Sequence, residues 1–112
     1  MKVIRPWGNY EVLLDSDDCK VKRITVNPGG KLSYQYHHKR SEIWSIVRGQ
    51  AAVTLDGSTF QVKAGDVVEV PVGCKHRIQN TSDKEDLIFI EVQCGDYFGE
   101  DDIVRVEDDY NR

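Results

Sequence analysis

Apolar residues in this chain come in short alternating runs, broken by turn signals every eight to twelve residues. That rhythm predicts β-strands, and no stretch holds a helical period for twelve residues. Val21–Val26 is the first clear strand, stopped by Asn27-Pro28-Gly29-Gly30. Leu32–His37 follows, then Ile43–Arg48, which ends at Gly49. Ala51–Leu55 and Thr59–Val62 flank Asp56-Gly57, a dipeptide suited to the tight turn of a hairpin. Val67–Val70 runs into Pro71-Val72-Gly73, and Arg77–Gln79 and Leu87–Gln93 complete the set. Many short strands with regular turns predict an all-β sandwich or barrel.

A length of 112 residues fits one domain spanning 1–112. With 39% hydrophobic and 30% charged residues the composition is that of a soluble globular protein. No apolar run approaches a membrane span, so a membrane is not an expected partner. The opening MKVIRPWGNY has no apolar signal core, which makes the cytoplasm the expected location. Charge is unevenly placed. The overall net charge is −4, but residues 96–112 carry seven acids against Arg105 and Arg112, leaving the body near +1. This acidic tail is expected to wrap the barrel through Tyr97, Phe98, Ile103, Val104 and Tyr110. No basic stripe with interleaved aromatics is present, which argues against nucleic acid as a partner, while a weakly positive body suits a small phosphorylated ligand. Cys19, Cys74 and Cys94 form no CxxC pair and no disulfide framework, in keeping with a reducing compartment.

Two spaced blocks carry the candidate chemistry. The first is Gly29-x5-Gln35-x-His37-x4-Glu42-x6-Gly49, and the second is Gly65-x5-Pro71-x-Gly73-x2-His76-x3-Asn80. Side chains alternate along a strand, so Gln35 and His37 share a face and Tyr36 takes the other. A turn through Lys39-Arg40-Ser41 can return Glu42 beside them, and the Pro71-Val72-Gly73 turn can deliver His76. Two imidazoles, a carboxylate and an amide oxygen make a set suited to one divalent ion: zinc first, with manganese, nickel, cobalt or iron as alternatives. His38 is expected to face away from the ligand set. Trp7 and Trp44 are expected to pack the barrel rather than stack on a sugar.

These blocks resemble the two conserved motifs of the cupin superfamily, a small β-barrel also known as the double-stranded β-helix or jelly roll. The likeness extends over nearly the whole chain. Arg5-Pro6-Trp7-Gly8, Pro28-Gly29, Gln35 through Trp44, Pro71-Val72-Gly73 with His76 and Arg77, and Gly99 through Tyr110 are similar to the C-terminal domain of type II mannose-6-phosphate isomerases. In that family the domain usually follows a mannose-1-phosphate guanylyltransferase domain. No Gly-rich nucleotide loop and no extra length are present here, so the resemblance implies a stand-alone cupin. It further implies interconversion of mannose 6-phosphate and fructose 6-phosphate, feeding GDP-mannose and polysaccharide synthesis. The family's Gln-His-Glu-His ligands map onto Gln35, His37, Glu42 and His76, and its functional arginine onto Arg40. Two positions depart from the pattern: Lys39 and Ile43 stand where the family usually has histidine.

Aldose–ketose exchange needs a base for a carbon-bound proton. His38, Lys39 and a metal-bound hydroxide are the candidates, with Arg40 as the clamp on phosphate or enediolate. Lys75, Arg77 and Arg105 are further candidates for binding substrate. Two other classes stay open: a sugar-phosphate-binding cupin without turnover, favoured by the missing imidazole at Ile43, and a different metal-dependent cupin enzyme. The resemblance also implies a homodimer, with Val3, Ile4 and Trp7 as a candidate swapped edge.

Overall fold

The computed structural model describes residues 1–108. Its strands are β1 (Lys2–Arg5), β2 (Gly8–Asp15), β3 (Cys19–Val26), β4 (Tyr34–His37), β5 (Arg40–Arg48), β6 (Gln50–Leu55), β7 (Ser58–Lys63), β8 (Val67–Val70), β9 (His76–Asn80), β10 (Leu87–Gly95) and β11 (Ile103–Glu107). One 3₁₀ turn, Glu100–Asp102, precedes β11. The strands form a six-stranded sheet in the order β1-β2-β3-β10-β5-β8 and a five-stranded sheet in the order β11-β4-β9-β6-β7. All the pairings are antiparallel. The two sheets face each other as a double-stranded β-helix: the alternation predicted an all-β sandwich or barrel, and the resemblance implied this form of it. No helix among the described residues is long and apolar enough to cross a membrane.

Turn chemistry sets the register. Asp56 (φ 45°) and Gly57 (φ 86°) both take positive φ, so a two-residue turn closes β6 onto β7 with Leu55 opposite Ser58. Gly73 (φ 79°) closes the turn after β8, and its N–H donates to the His37 carbonyl at 2.8 Å. The turn that delivers His76 is thereby fastened to the strand that carries His37.

The interior is divided into an apolar end and a polar end. Val26, Leu87 and Phe89 lie beside Ile24, Ile46 and Trp44 in the core cluster. Farther along the same strands the inward positions become polar: Lys22 on β3, Glu42 and Arg40 on β5, Glu91 and Gln93 on β10, His76 on β9. Register aligns these changes. Phe89 pairs with Ile24 and Ile46, Glu91 with Lys22 and Trp44, and Gln93 with Glu42. Asn80, at the apolar end, is a structural clamp whose amide donates to the carbonyls of Val26, Asn27 and Glu85.

Three strands go beyond the sequence pattern. β2 contains Val12, Leu13 and Leu14 in succession, all largely exposed, with a register shift between Val12 and Leu14. β1 pairs with β2 of its own chain, so Val3 and Ile4 already have a partner strand, and Trp7 is a core residue rather than an edge. The tail does more than wrap. Ile103–Glu107 adds a strand to β4, Asp102 holds the β4–β5 turn, Tyr97 is exposed, and Tyr110 lies outside the described residues.

Candidate metal centre

β5 starts at Arg40, so the turn between β4 and β5 is shorter than expected, and Arg40 and Ser41 already belong to the strand. Alternation then points Arg40, Glu42 and Trp44 inward together, and all three are buried. His37 ends β4 and His76 starts β9. The result is a buried group in which His37, Glu42 and His76 each offer a ligand atom within 4.8 Å of the others. Donors about 2.1 Å from one ion on opposite sides are about 4.2 Å apart, so small side-chain rotations close this set on a single cation. His76 Nδ1 lies 2.9 Å from the Cys74 carbonyl, which leaves Nε2 to face Glu42. Gln35 sits across from His76 in the β4–β9 pairing and lines the same cavity, its Nε2 donating to Ser33 Oγ at 2.8 Å. The donor chemistry therefore fits a divalent ion, with His37, Glu42 and His76 as the tight part of the set.

Glu42 is the hub. His37 Nε2 lies 3.0 Å from it, Arg40 Nε donates at 3.1 Å, Trp44 Nε1 donates at 2.9 Å, and His76 Nε2 is 3.8 Å away. Burial alone would raise its pKa, but the His37 hydrogen bond and the neighbouring His76 and Arg40 hold the carboxyl well below the usual range. Burial pushes His76 down, partly opposed by Glu42. Arg40 also lies 3.3 Å from His37, and its buried Nη1 has no partner among the described residues.

The cavity beside this group measures about 610 Å³ counted out to its open mouth. It separates the remaining candidates. Arg77 and Arg105 line it, as does Arg40. His38 and Lys39, the expected base candidates, and Lys75, an expected substrate contact, are exposed and do not line it. The physical reason is the short turn: Asp102 accepts the backbone N–H groups of His38 and Lys39 at 3.1 and 3.0 Å, and Lys39 Nζ is held 4.8 Å over the Tyr97 ring. Ile43 lies on the outward face of β5, 40% exposed. The departures at Lys39 and Ile43 thus change positions outside the cavity.

The cavity also has a wall that lies outside the two glycine-bounded blocks. Arg5, Tyr10, Lys22 and Glu91 line it opposite β4 and β9. Lys22 Nζ sits 4.3 Å from the centre of the Tyr10 ring, and Arg5 packs on the same ring at 5.4 Å. Glu91 is 7% exposed, and Gln93 Nε2 donates to its Oε1. Burial, then the charge of Glu42, pushes the Glu91 carboxyl up to about 8, with Lys22 and Arg40 pulling the other way.

The family described as mannose-6-phosphate isomerase C-terminal matches residues 1–108. The chain belongs to that family. Two curated relatives are the alginate biosynthesis protein AlgA of Pseudomonas aeruginosa and the mannose-1-phosphate guanylyltransferase of Escherichia coli K12. The first is 46% identical over 99% of this chain and 23% of its own length. The second is 44% identical over the same shares. The chain thus spans less than a quarter of either relative. Among solved structures, a conserved Klebsiella pneumoniae protein with a double-stranded β-helix domain superposes with a TM-score of 0.76. It is 24% identical, over 87% of this chain and 77% of that one, a likeness of fold.

Proposed function

We propose that this cupin is a metal-dependent isomerase that interconverts mannose 6-phosphate and fructose 6-phosphate, within the polysaccharide biosynthesis named for its relatives. One observation carries the proposal: in a chain of this family, His37, Glu42 and His76 meet in a buried group at the edge of a cavity that cationic side chains also line. His37, Glu42 and His76, with Gln35, would hold one divalent ion, zinc by first choice. Bound there, the ion supplies Lewis acidity toward the carbonyl and hydroxyl oxygens of the sugar. Arg40 holds the donors in place through Glu42 and His37, and its guanidinium, whose Nη1 has no partner among the described residues, offers a donor to a developing oxyanion. Arg77 and Arg105, two of the expected substrate contacts, together with Arg5 bring fixed positive charge to the cavity and bind the phosphate. The protein acts as a homodimer in the cytoplasm.

The case for binding without turnover rested on Ile43, and the outward position of that side chain removes its support. The test is direct. Protein loaded with zinc, manganese or cobalt is incubated with mannose 6-phosphate, and fructose 6-phosphate is followed with and without chelator. Chelator-sensitive conversion is the expected result. Saturable binding with no product under any of the three ions would overturn the isomerase assignment.

A further inference from the structure

Turnover at this site needs a group that accepts a carbon-bound proton, and Arg40 cannot act as one because a guanidinium stays protonated. With Gln35, His37, Glu42 and His76 assigned to the ion, three ionisable side chains other than arginine still line the cavity: Tyr10, Lys22 and Glu91. Tyr10 is covered on its ring by Lys22 and Arg5, and Lys22 is a cation. Glu91 differs from both. Its Oε1 accepts from Gln93, no cation lies within ion-pair distance of it among the described residues, and its Oε2 has no hydrogen-bond partner. That second oxygen is not sealed from solvent, so it opens on the cavity. An acid held 7% exposed, with half its hydrogen-bonding capacity left unused, has not been placed there for stability.

Its position relative to the candidate ion follows from register. Gln93 stands directly across from Glu42, and Glu91 is two residues back along β10, across from Trp44 and Lys22. Diagonal neighbours of this kind lie about 7–8 Å apart.

Resting on the isomerase assignment above, we infer that Glu91 is the catalytic residue that carries the proton between C2 and C1 of the sugar. In the forward direction Glu91 takes the C2 proton. The C2–H electron pair becomes the C1–C2 double bond, and the aldehyde π pair moves onto O1. The O2 hydroxyl proton passes to O1. Glu91 then returns its proton to C1 as the O2 electron pair re-forms a carbonyl at C2. Atoms and charge balance with no external oxidant or reductant. The groups facing Glu91 from neighbouring strands are Lys22 on β3 and Glu42 and Arg40 on β5. Burial and Glu42 disfavour the ionised carboxyl while Lys22 and Arg40 favour it.

The test compares wild type with Glu91→Gln, which keeps the side chain's shape and its acceptor for Gln93. Turnover is expected to fall about 10²–10⁴-fold. Mannose 6-phosphate affinity measured by calorimetry should stay within about threefold and metal content should be unchanged, as expected of a group that acts in the transition state rather than in binding. Deuterium from solvent should no longer enter C1 or C2. Lys22→Met is expected to shift the pH profile of turnover toward alkaline pH while leaving the metal in place. An active wild type with a Glu91→Gln variant within fivefold of it would overturn this inference alone. So would a variant that loses ligand binding and metal in step with turnover. A wild type that converts nothing overturns the isomerase assignment, and this inference falls with it.

Discussion

At residue 42 one carboxylate satisfies an imidazole, a guanidinium and an indole at once, all from side chains no more than 5% exposed. Such a hub fails badly when its centre is removed. Glu42→Ala leaves the Arg40 guanidinium buried without its carboxylate, and breaking a buried pair from one side costs about 3–5 kcal/mol. Urea unfolding should show that loss, and elemental analysis of the zinc-loaded variant should find little bound ion. An unfolding midpoint equal to that of wild type would mean that Arg40 has another partner. The convergence of His37, Glu42 and His76 as candidate ligands was legible because a two-residue repeat and a glycine turn are local signals. Glu91 and Lys22 were not, and β10 shows why. Its outward residues Ile88, Ile90 and Val92 are more apolar than its inward Glu91 and Gln93, so alternation alone assigns the wrong face to the core at that end. Only pairing with β3 and β5 on both sides reverses the choice.

Among the elements, the acidic tail is the one whose role charge count concealed. Its value to the site lies in a single residue: the Asp102 carboxylate accepts two backbone N–H groups from the turn that joins His37 to Arg40. Those hydrogen bonds hold its pKa below the usual range against the opposing effect of burial. Asp102→Ala should therefore cost about 1–3 kcal/mol, the range for losing hydrogen bonds to a charged group. Amide exchange should speed up at His38 and Lys39 more than in β10. Unaltered exchange at those two amides would show that the turn holds itself. β11 was illegible for a related reason. Ile103–Glu107 has only half-buried or exposed side chains, so its stability comes from backbone pairing with β4, which leaves little trace in composition. β2 carries the opposite signal, three apolar residues in succession that neither alternate nor lie buried.

The molecule as a whole places an apolar cluster at one end of the barrel and ionisable groups at the other, so its stability should report on both the ion and the pH. A divalent ion that binds only the folded chain adds about 2.7 kcal/mol when free metal is one hundred times its dissociation constant, roughly a 10 °C rise in Tm for a domain of this size. Zinc that leaves Tm unmoved would argue against the His37–Glu42–His76 set. In chelator the pH dependence should show an optimum, with three groups setting its sides. Glu42 has a folded pKa below its unfolded value of 4.5, so its contribution is present above that value and is lost as pH falls. His76 is also depressed, from 6.5, so its contribution too is present above its unfolded pKa and declines in acid. Glu91 has the opposite sign. Its folded pKa near 8 lies above the unfolded 4.5, so the stability it confers is complete below 4.5 and is lost as pH rises through 8. Metal-free protein should accordingly be most stable in mildly acidic solution, roughly between the unfolded values of the two acids and of His76. Glu91→Gln removes the alkaline decline while leaving the acid side intact. Its advantage over wild type should be small at pH 5 and reach a few kcal/mol by pH 8.5, as expected for a carboxyl that burial pushes up to about 8. Parallel unfolding curves for the two proteins across that range would mean that Glu91 ionises without penalty, and with it would go the basis for the alkaline limb.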